Sequence, residues 1–309
     1  MGITEPSFLD GEKPPLVVIA GPTASGKSSY ALRCAEKLEA IGKGSVILNA
    51  DSTQVYRDLQ VLSARPSADE MGGIPHTLYG FRDGADPYSA AAWAADARRA
   101  IRDAHLHGVV PILVGGTGMY IATLLDGIAP IPAIDPSVRE QVRRLNQATA
   151  YEALNREDPG SARRLAPADK ARTLRALEVI RSTGVSIGEW RERREGGIAS
   201  NVSLSLTIID PDRSDLYAAC DERFEHMLAN GAIDEVERLQ KRNLAGTLPV
   251  MRAIGVAEIA AYLEGRLSRS GLVQKAQQST RNYAKRQTTW FRHQLSKHSP
   301  TRLSSNKVT

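Results

Sequence analysis

A chain of 309 residues with 42% hydrophobic content holds enough apolar material for one large domain with an insertion, or for two domains. Its two cysteines, Cys34 and Cys220, lie too far apart in sequence to suggest a disulfide framework or a thiolate metal site. No segment reaches the length of a membrane span, and no charged start leads into an apolar leader, so a cytoplasmic protein with reduced thiols and no membrane partner is expected.

Residues 1–13 read as a flexible polar lead-in. Residues 16–20 (LVVIA) form a short apolar run ending at glycine, the mark of a strand buried on both faces of a parallel sheet. Residues 28–40 follow with helical character. A second strand is expected at 46–48. An alanine-rich helix without internal proline is expected at 87–107, and a third buried strand at 109–114 (VVPILV). Alternating strands and helices specify an α/β fold with a parallel sheet flanked by helices.

The texture changes after Gly127. Three prolines between 129 and 136 mark a linker, and 136–195 is helical and charged throughout. Strand character returns at 202–209. The simplest topology is an all-helical lobe, 129–199, inserted into a core made of 14–128 and 200–298, with a flexible tail at 299–309. The last strong element is a helix over 270–295. At 100° per residue it gathers Arg281, Lys285 and Arg292 on one side, and Leu272, Ala276, Tyr283 and Trp290 on the other.

Charge is unevenly divided. Residues 269–309 contain nine basic and no acidic residues, and 136–195 contain thirteen basic and nine acidic, which leaves the rest of the chain at −8. Such a division presents basic surface to a polyanion, although a solvated basic tail accounts equally well for the C-terminal part taken alone. Lys285 and Arg286 are candidates for phosphate contact, whereas Trp290 and Phe291 are better explained as core than as stacking platforms.

Gly21, Pro22, Thr23, Ala24, Ser25, Gly26, Lys27 and Ser28 fit the phosphate-binding pattern G-x-x-x-x-G-K-[ST], with a strand before it and a helix after it. Glycines let the backbone amides converge on phosphate oxygens, the helix start adds its dipole, Lys27 adds a full charge, and the Ser28 hydroxyl suits Mg²⁺. An ATPase or small-molecule kinase would normally close a later apolar strand with a metal-holding aspartate. Here that strand closes with Gly115, Gly116, Thr117 and Gly118, so the cradle suits any diphosphate with Mg²⁺, including one that leaves. A GTPase-like RNA-binding module would need a guanine-reading N/T-K-x-D motif, and the sequence has none.

Two further segments fall beyond strand ends, where α/β sheets bind ligands. Asp51, in the run Asp51–Gln54, can accept a proton, or can simply cap a helix. Thr117, on a glycine-flexed turn, can orient a nucleophile or can bond its own backbone.

Six segments in series resemble tRNA dimethylallyltransferases, also called tRNA isopentenyltransferases: GPTASGKS (21–28), NADSTQVYRDL (49–59), GIPH (73–76), PILVGGTGMY (111–120), RTLRALEV (172–179) and YAKRQTTWFR (283–292). The resemblance covers residues 16–293 and implies a P-loop NTPase-like core with a helical insertion. It implies transfer of a dimethylallyl group from dimethylallyl diphosphate to N6 of the adenosine immediately 3′ of the anticodon. Gly21, Thr23, Ala24, Ser25, Gly26, Lys27, Ser28 and Arg223 would bind the diphosphate with Mg²⁺. Asp51 would be the general base and Thr117 would sit at the reacting centre. Asp51, Ser52, Thr53, Gln54, Thr117, Arg139, Ala171, Arg172, Thr173, Leu174 and Arg175 would contact the tRNA anticodon stem–loop, with the enzyme a monomer. Two departures stand out: Thr77 follows His76 where relatives often carry a second histidine, and the tail has no cysteine for the zinc finger of some eukaryotic relatives.

Overall fold

A computed structural model describes residues 13–304. The expected lead-in therefore lies outside the described residues except at Lys13, as does the tail from 305 onward. The chain opens with β1 (Pro15–Ala20), α1 (Lys27–Ala40), β2 (Ser45–Asn49), β3 (His76–Thr77), α2 (Ala90–Leu106), β4 (Val110–Gly115) and α3 (Gly118–Asp126). Five helices follow: α4 (Pro136–Arg143), α5 (Gln147–Glu157), α6 (Pro159–Arg163), α7 (Lys170–Thr183) and α8 (Ile187–Glu192). The chain then runs through β5 (Ser203–Ile209), α9 (Arg213–Ala229), α10 (Ala232–Lys241), α11 (Val256–Leu263), α12 (Arg269–Gln294) and β6 (Thr301–Leu303).

All six strands join one parallel sheet in the order β3-β2-β4-β1-β5-β6. β1 has neighbours on both sides and buries every residue from Leu16 to Ala20, which is why its sequence is continuously apolar rather than alternating. Helix α1 lays Tyr30, Ala31, Cys34, Ala35 and Leu38 on the sheet, a spacing that keeps one face inward through three turns. Ser89 caps α2 by accepting from Ala92 N at 3.1 Å, and Trp93 in its first turn is fully buried.

The expectation of a flexible tail from 299 is corrected by β6. Thr301–Leu303 pairs with Thr207–Ile209 and extends the sheet beyond β5, so β5 is not left as an open edge. Three residues carry too little pattern to be read as a strand; the edge they join supplies their hydrogen-bond partners.

By its contacts the chain divides into two units, one joining the residues up to Leu125 with those from Ala199 onward, the other spanning Asp126–Ile198. The second unit holds α4 to α8. Each of these helices starts at an Asp, Asn or Ser whose side chain accepts an amide of the first turn: Asp135, Asn146, Asp158, Asp169 and Ser186. Its core is built on Val142, Leu154, Leu177, Val179 and Ile187, and an isolated bridge between Ile128 and Glu195 joins its two ends.

The sheet leaves no slack where β4 meets β2. A Cβ on Gly115 would lie 2.2 Å from both the carbonyl carbon and the oxygen of Ala50. Backbone cannot turn aside as a side-chain tip can, so Gly115→Ala should lower the free energy of unfolding in urea by about 1–3 kcal/mol, the range for overpacking. An unfolding midpoint equal to that of the unsubstituted protein refutes the close approach.

A candidate active site at the carboxyl edge of the sheet

The loop after β1 places Gly21–Ser28 at the carboxyl edge, with Ala24 and Gly26 both in left-handed backbone, φ 60° and 79°. Lys27 opens α1 and curls its ammonium back onto the Pro22 carbonyl at 3.1 Å. Ser25 is buried with an unpartnered hydroxyl inside this loop, an unmet donor that an anion in the cradle can take up. The loop is also tied from outside: Thr23 N donates to Gln287 Oε1 at 2.9 Å, and Gln287 Nε2 donates to the Gly116 carbonyl at 2.8 Å. One buried amide on α12 thus spans the phosphate loop and the end of β4.

Asp51 is held by the strand that delivers it. Fully buried Asn49 accepts from Asp51 N at 2.8 Å and donates to the carbonyls of Asp51 and Leu78 at 2.9 and 3.0 Å. Behind it, the Trp93 indole donates to the Asn49 carbonyl at 3.0 Å and stacks on Tyr120 with ring centres 4.5 Å apart. Asp51 Oδ1 accepts from Thr53 N and Oγ1, at 2.9 and 2.6 Å, so one carboxylate oxygen anchors a turn rather than a helix. Thr117 locks the two strand ends together: its hydroxyl accepts from Ser52 N at 2.9 Å and donates to Ser52 Oγ at 3.2 Å. Tyr283 on α12 lies beside Thr117 and Gln287.

Of these groups Thr23, Asp51, Ser52, Thr53, Tyr120 and Tyr283 border a cavity of about 410 Å³, within the usual range for a small-ligand site. Thr23, Asp51, Ser52, Thr53 and Arg223 line its polar side; Leu62, Phe224 and Met227 line its apolar side. Tyr56, Tyr88, Tyr120 and Tyr283 are also in the wall, and burial pushes all four phenols upward in pKa, so they remain neutral hydrogen-bonding aromatics. Arg223 reaches in from α9 and donates to the Ser63 carbonyl at 3.4 Å. Burial lowers its pKa, and Asp51 opposes the shift. Burial likewise brings Lys27 down to about 8, with Asp51 pulling upward and Arg223 downward. Two desolvated cations therefore share the field of one carboxylate, which leaves the site electropositive and receptive to a multiply charged anion.

The donor set suits Mg²⁺ carried by phosphate. No cluster of three or more His, Cys, Asp or Glu that could hold a metal is present among the described residues. The exposed hydroxyl of Ser28 is a single hard ligand, in keeping with an ion that keeps its waters and binds mainly through substrate oxygens.

The remaining candidates divide by burial. Gln54 uses its amide nitrogen on the Ser63 and Ala64 carbonyls, at 3.0 and 2.9 Å, so it braces a loop. In the second unit Arg139, Ala171 and Arg172 are exposed and Arg175 is half-buried. The nucleic-acid contact expected of Thr173 is not available to its hydroxyl, which is buried and donates to the Asp169 carbonyl at 2.8 Å; Leu174 packs against the core of the unit. On α12 the expected row of cations is also corrected. Arg281 pairs with Asp221 at 2.6 Å and Arg292 with Asp210 at 3.2 Å, leaving Lys285 exposed and Arg286 at the cavity rim. The buried stripe of α12 is Leu272, Ala276, Ala284, Gln287 and Phe291, while Trp290 covers Gly118, where a Cβ would meet its ring at 2.2 Å. His76 is occupied with the Ile74 carbonyl at 2.7 Å.

Sequence reasoning missed Gln287, Ser63 and the four tyrosines. Tyr56, Tyr120, Tyr283 and Gln287 lie inside the segments that carried the resemblance; Tyr88 and Ser63 had no such signal.

The sequence matches the family model of the IPP transferases over residues 54–294 and that of the isopentenyl transferases over residues 14–79. Among curated proteins, the tRNA dimethylallyltransferase of Erythrobacter litoralis is 60% identical over 92% of this chain and 90% of its own. That of Novosphingobium aromaticivorans is 59% identical over 82% of this chain and 90% of its own. Among solved structures, the full-length tRNA isopentenylpyrophosphate transferase of Bacillus halodurans aligns with a TM-score of 0.68 at 30% identity, covering 96% of this chain and 93% of that one. A eukaryotic dimethylallyltransferase acting on tRNA aligns with a TM-score of 0.80 at 26% identity, covering 94% and 74%.

The depressed pKa of Lys27 gives a pH signature. The ammonium is charged below about 8, and a bound polyanion favours the charged form. Affinity for Mg²⁺-pyrophosphate should hold below that pH and then weaken by up to about tenfold per unit above it, with Lys27→Arg flattening the profile because guanidinium does not titrate there. Calorimetry on both proteins from pH 6.5 upward tests this; parallel profiles show that Lys27 is not the titrating group.

Proposed function

The chain belongs to the IPP transferase family and is an enzyme that transfers prenyl groups to tRNA, and we propose that the cavity at the sheet edge is where dimethylallyl diphosphate meets the target adenine. The observation that carries this reading is the pairing of an electropositive phosphate loop with a single fixed carboxylate across one cavity walled by aromatic and aliphatic side chains. A kinase needs an acidic metal holder at the end of β4; this strand ends in Gly115 and leads into Gly116 and Thr117.

The proposed acceptor is N6 of the adenosine immediately 3′ of the anticodon, which must leave its stack to enter the cavity. Its lone pair is delocalised into the ring, so the amine attacks poorly until its proton is taken. Asp51 receives that proton through the oxygen not committed to Thr53. The new bond joins N6 to the allylic C1, while the C1–O bond breaks and its electrons leave with diphosphate. Lys27, Arg223 and the amides of residues 21–28 hold the charge that builds on the departing group. The Ser28 hydroxyl would help hold Mg²⁺, which would supply further neutralisation of that charge. Tyr56, Tyr120 and Tyr283 exclude water and offer π faces to the positive charge that develops on the allyl group. Thr117, joined to Ser52 and beside Tyr283, orients the amine.

The helical unit is the proposed grip on the anticodon stem–loop, through Arg139, Arg172 and Arg175 on phosphates, with Lys285 and Arg286 contributing from α12. No helix among the described residues is long and apolar enough to cross a membrane, and the two free cysteines are buried; a cytoplasmic monomer fits both facts.

Purified protein incubated with dimethylallyl diphosphate, Mg²⁺ and unmodified tRNA should yield N6-dimethylallyladenosine by nucleoside mass spectrometry. Asp51→Asn keeps the Thr53 turn but removes the base; it should lower kcat by about 10²–10⁴-fold, the usual contribution of a general base, with the tRNA Kd nearly unchanged. ATP hydrolysis without the modified nucleoside defeats the proposed reaction, and loss of tRNA binding in Asp51→Asn defeats the assigned role.

A further inference from the structure

Glu235 is only 4% exposed, sits in the first turn of α10 and does not line the cavity. Its carboxylate accepts three successive backbone amides from the far side of the chain. Gln60 N and Val61 N meet Oε1 at 2.6 and 3.0 Å, and Leu62 N meets Oε2 at 2.9 Å. Consecutive amides turned to one point form a nest that elsewhere binds free anions; here the protein fills it with its own carboxylate. An apolar residue at 235 would leave three donors without a partner, so the charge is matched to the loop and not to the core.

The loop held in this way has one conspicuous task. Directly after Leu62, the Ser63 carbonyl receives Gln54 Nε2 at 3.0 Å and Arg223 Nη2 at 3.4 Å, and the next residue, Ala64, sits in left-handed backbone at φ 46°. Leu62 and Ser63 also line the cavity beside Arg223. No strand or helix runs through residues 60–64; besides Glu235 they are held by short turn bonds, Ala64 N to the Val61 carbonyl at 2.9 Å and Ser63 Oγ to the Leu59 carbonyl at 2.7 Å. We infer that Glu235 is a positioning residue for donor binding: it fixes residues 60–62, these fix the Ser63 carbonyl, and that carbonyl aims Arg223 at the diphosphate. The inference rests on the reading of Arg223 as a diphosphate contact.

Glu235→Gln keeps the shape of the side chain but turns one acceptor into a donor facing an amide. Since misplacing a binding group by about 1 Å can cost 10²-fold, a rise of about tenfold or more is expected in KM for dimethylallyl diphosphate and in Kd for Mg²⁺-pyrophosphate. The tRNA Kd should stay near that of the unsubstituted enzyme, while kcat at saturating donor falls as well, because Arg223 also holds the charge on the departing diphosphate. Val236→Ala, a core truncation on the same helix, should lower the melting temperature without moving the donor KM. Because Glu235 acts through Arg223, the double variant Glu235→Gln/Arg223→Ala should bind pyrophosphate no more weakly than Arg223→Ala alone. Should Glu235→Gln not fold, Glu235→Asp, which keeps the charge but withdraws it by one methylene, replaces it in the same cycle. Additive losses in the double variant, or a donor KM that follows thermal stability in Val236→Ala as well, overturn the inference. An unchanged pyrophosphate Kd in Arg223→Ala alone overturns the diphosphate reading of Arg223, and the relay with it.

Discussion

Two cations enclosed beside one carboxylate set the terms for the rest of the site. Lys27 and Arg223 come from helices nearly two hundred positions apart in sequence, and both lose solvation by burial. Asp51 offsets part of that loss through space without forming a neutral pair with either. A fully paired arrangement would be more comfortable for the folded chain and would leave no spare positive charge for an anion. The surroundings accordingly supply rigidity from several directions: Asn49 and Trp93 behind Asp51, Thr117 across the two strand ends, Gln287 over the phosphate loop and Glu235 beneath the loop that touches Arg223.

That rigidity explains the hydrogen-bond style of the site. Most of its bonds run from side chain to backbone, between segments far apart in sequence, rather than from side chain to side chain. A buried amide or hydroxyl satisfying a distant carbonyl adds no net charge, so the loops are cross-linked without diluting the positive potential on which anion binding depends. Charged pairs are kept away from the cavity floor: Arg281 meets Asp221 and Arg292 meets Asp210 on the flanks of α12.

How much of this could be read from the sequence depends on the range of the interaction involved. The parallel sheet, the phosphate loop and the residues beyond its strands were legible because each is a local pattern: a continuous apolar run at 16–20, glycines and a lysine at fixed spacing, an acid directly after a strand. The orientation of α12 was read with less success. Helical periodicity alone placed Tyr283 and Trp290 with the core, whereas Gln287 and Ala284 take that side, because a polar residue with a specific buried partner follows that partner instead of the apolar stripe. The strand at Thr301–Leu303 was invisible for a related reason, since only the open edge of β5 makes three residues into a strand. Within 171–175, burial separated Thr173 and Leu174 from their neighbours, and sequence order could not have told these apart.

The bridge made by Gln287 also bears on how the chain matures. The amide that ties Thr23 to Gly116 lies 264 residues after the first of these partners and 171 after the second. A ribosome-bound intermediate can have its phosphate loop, its strands and its acidic residue in place and still lack the clasp between them. Closure of the phosphate loop onto the end of β4 is thus withheld until α12 has been made.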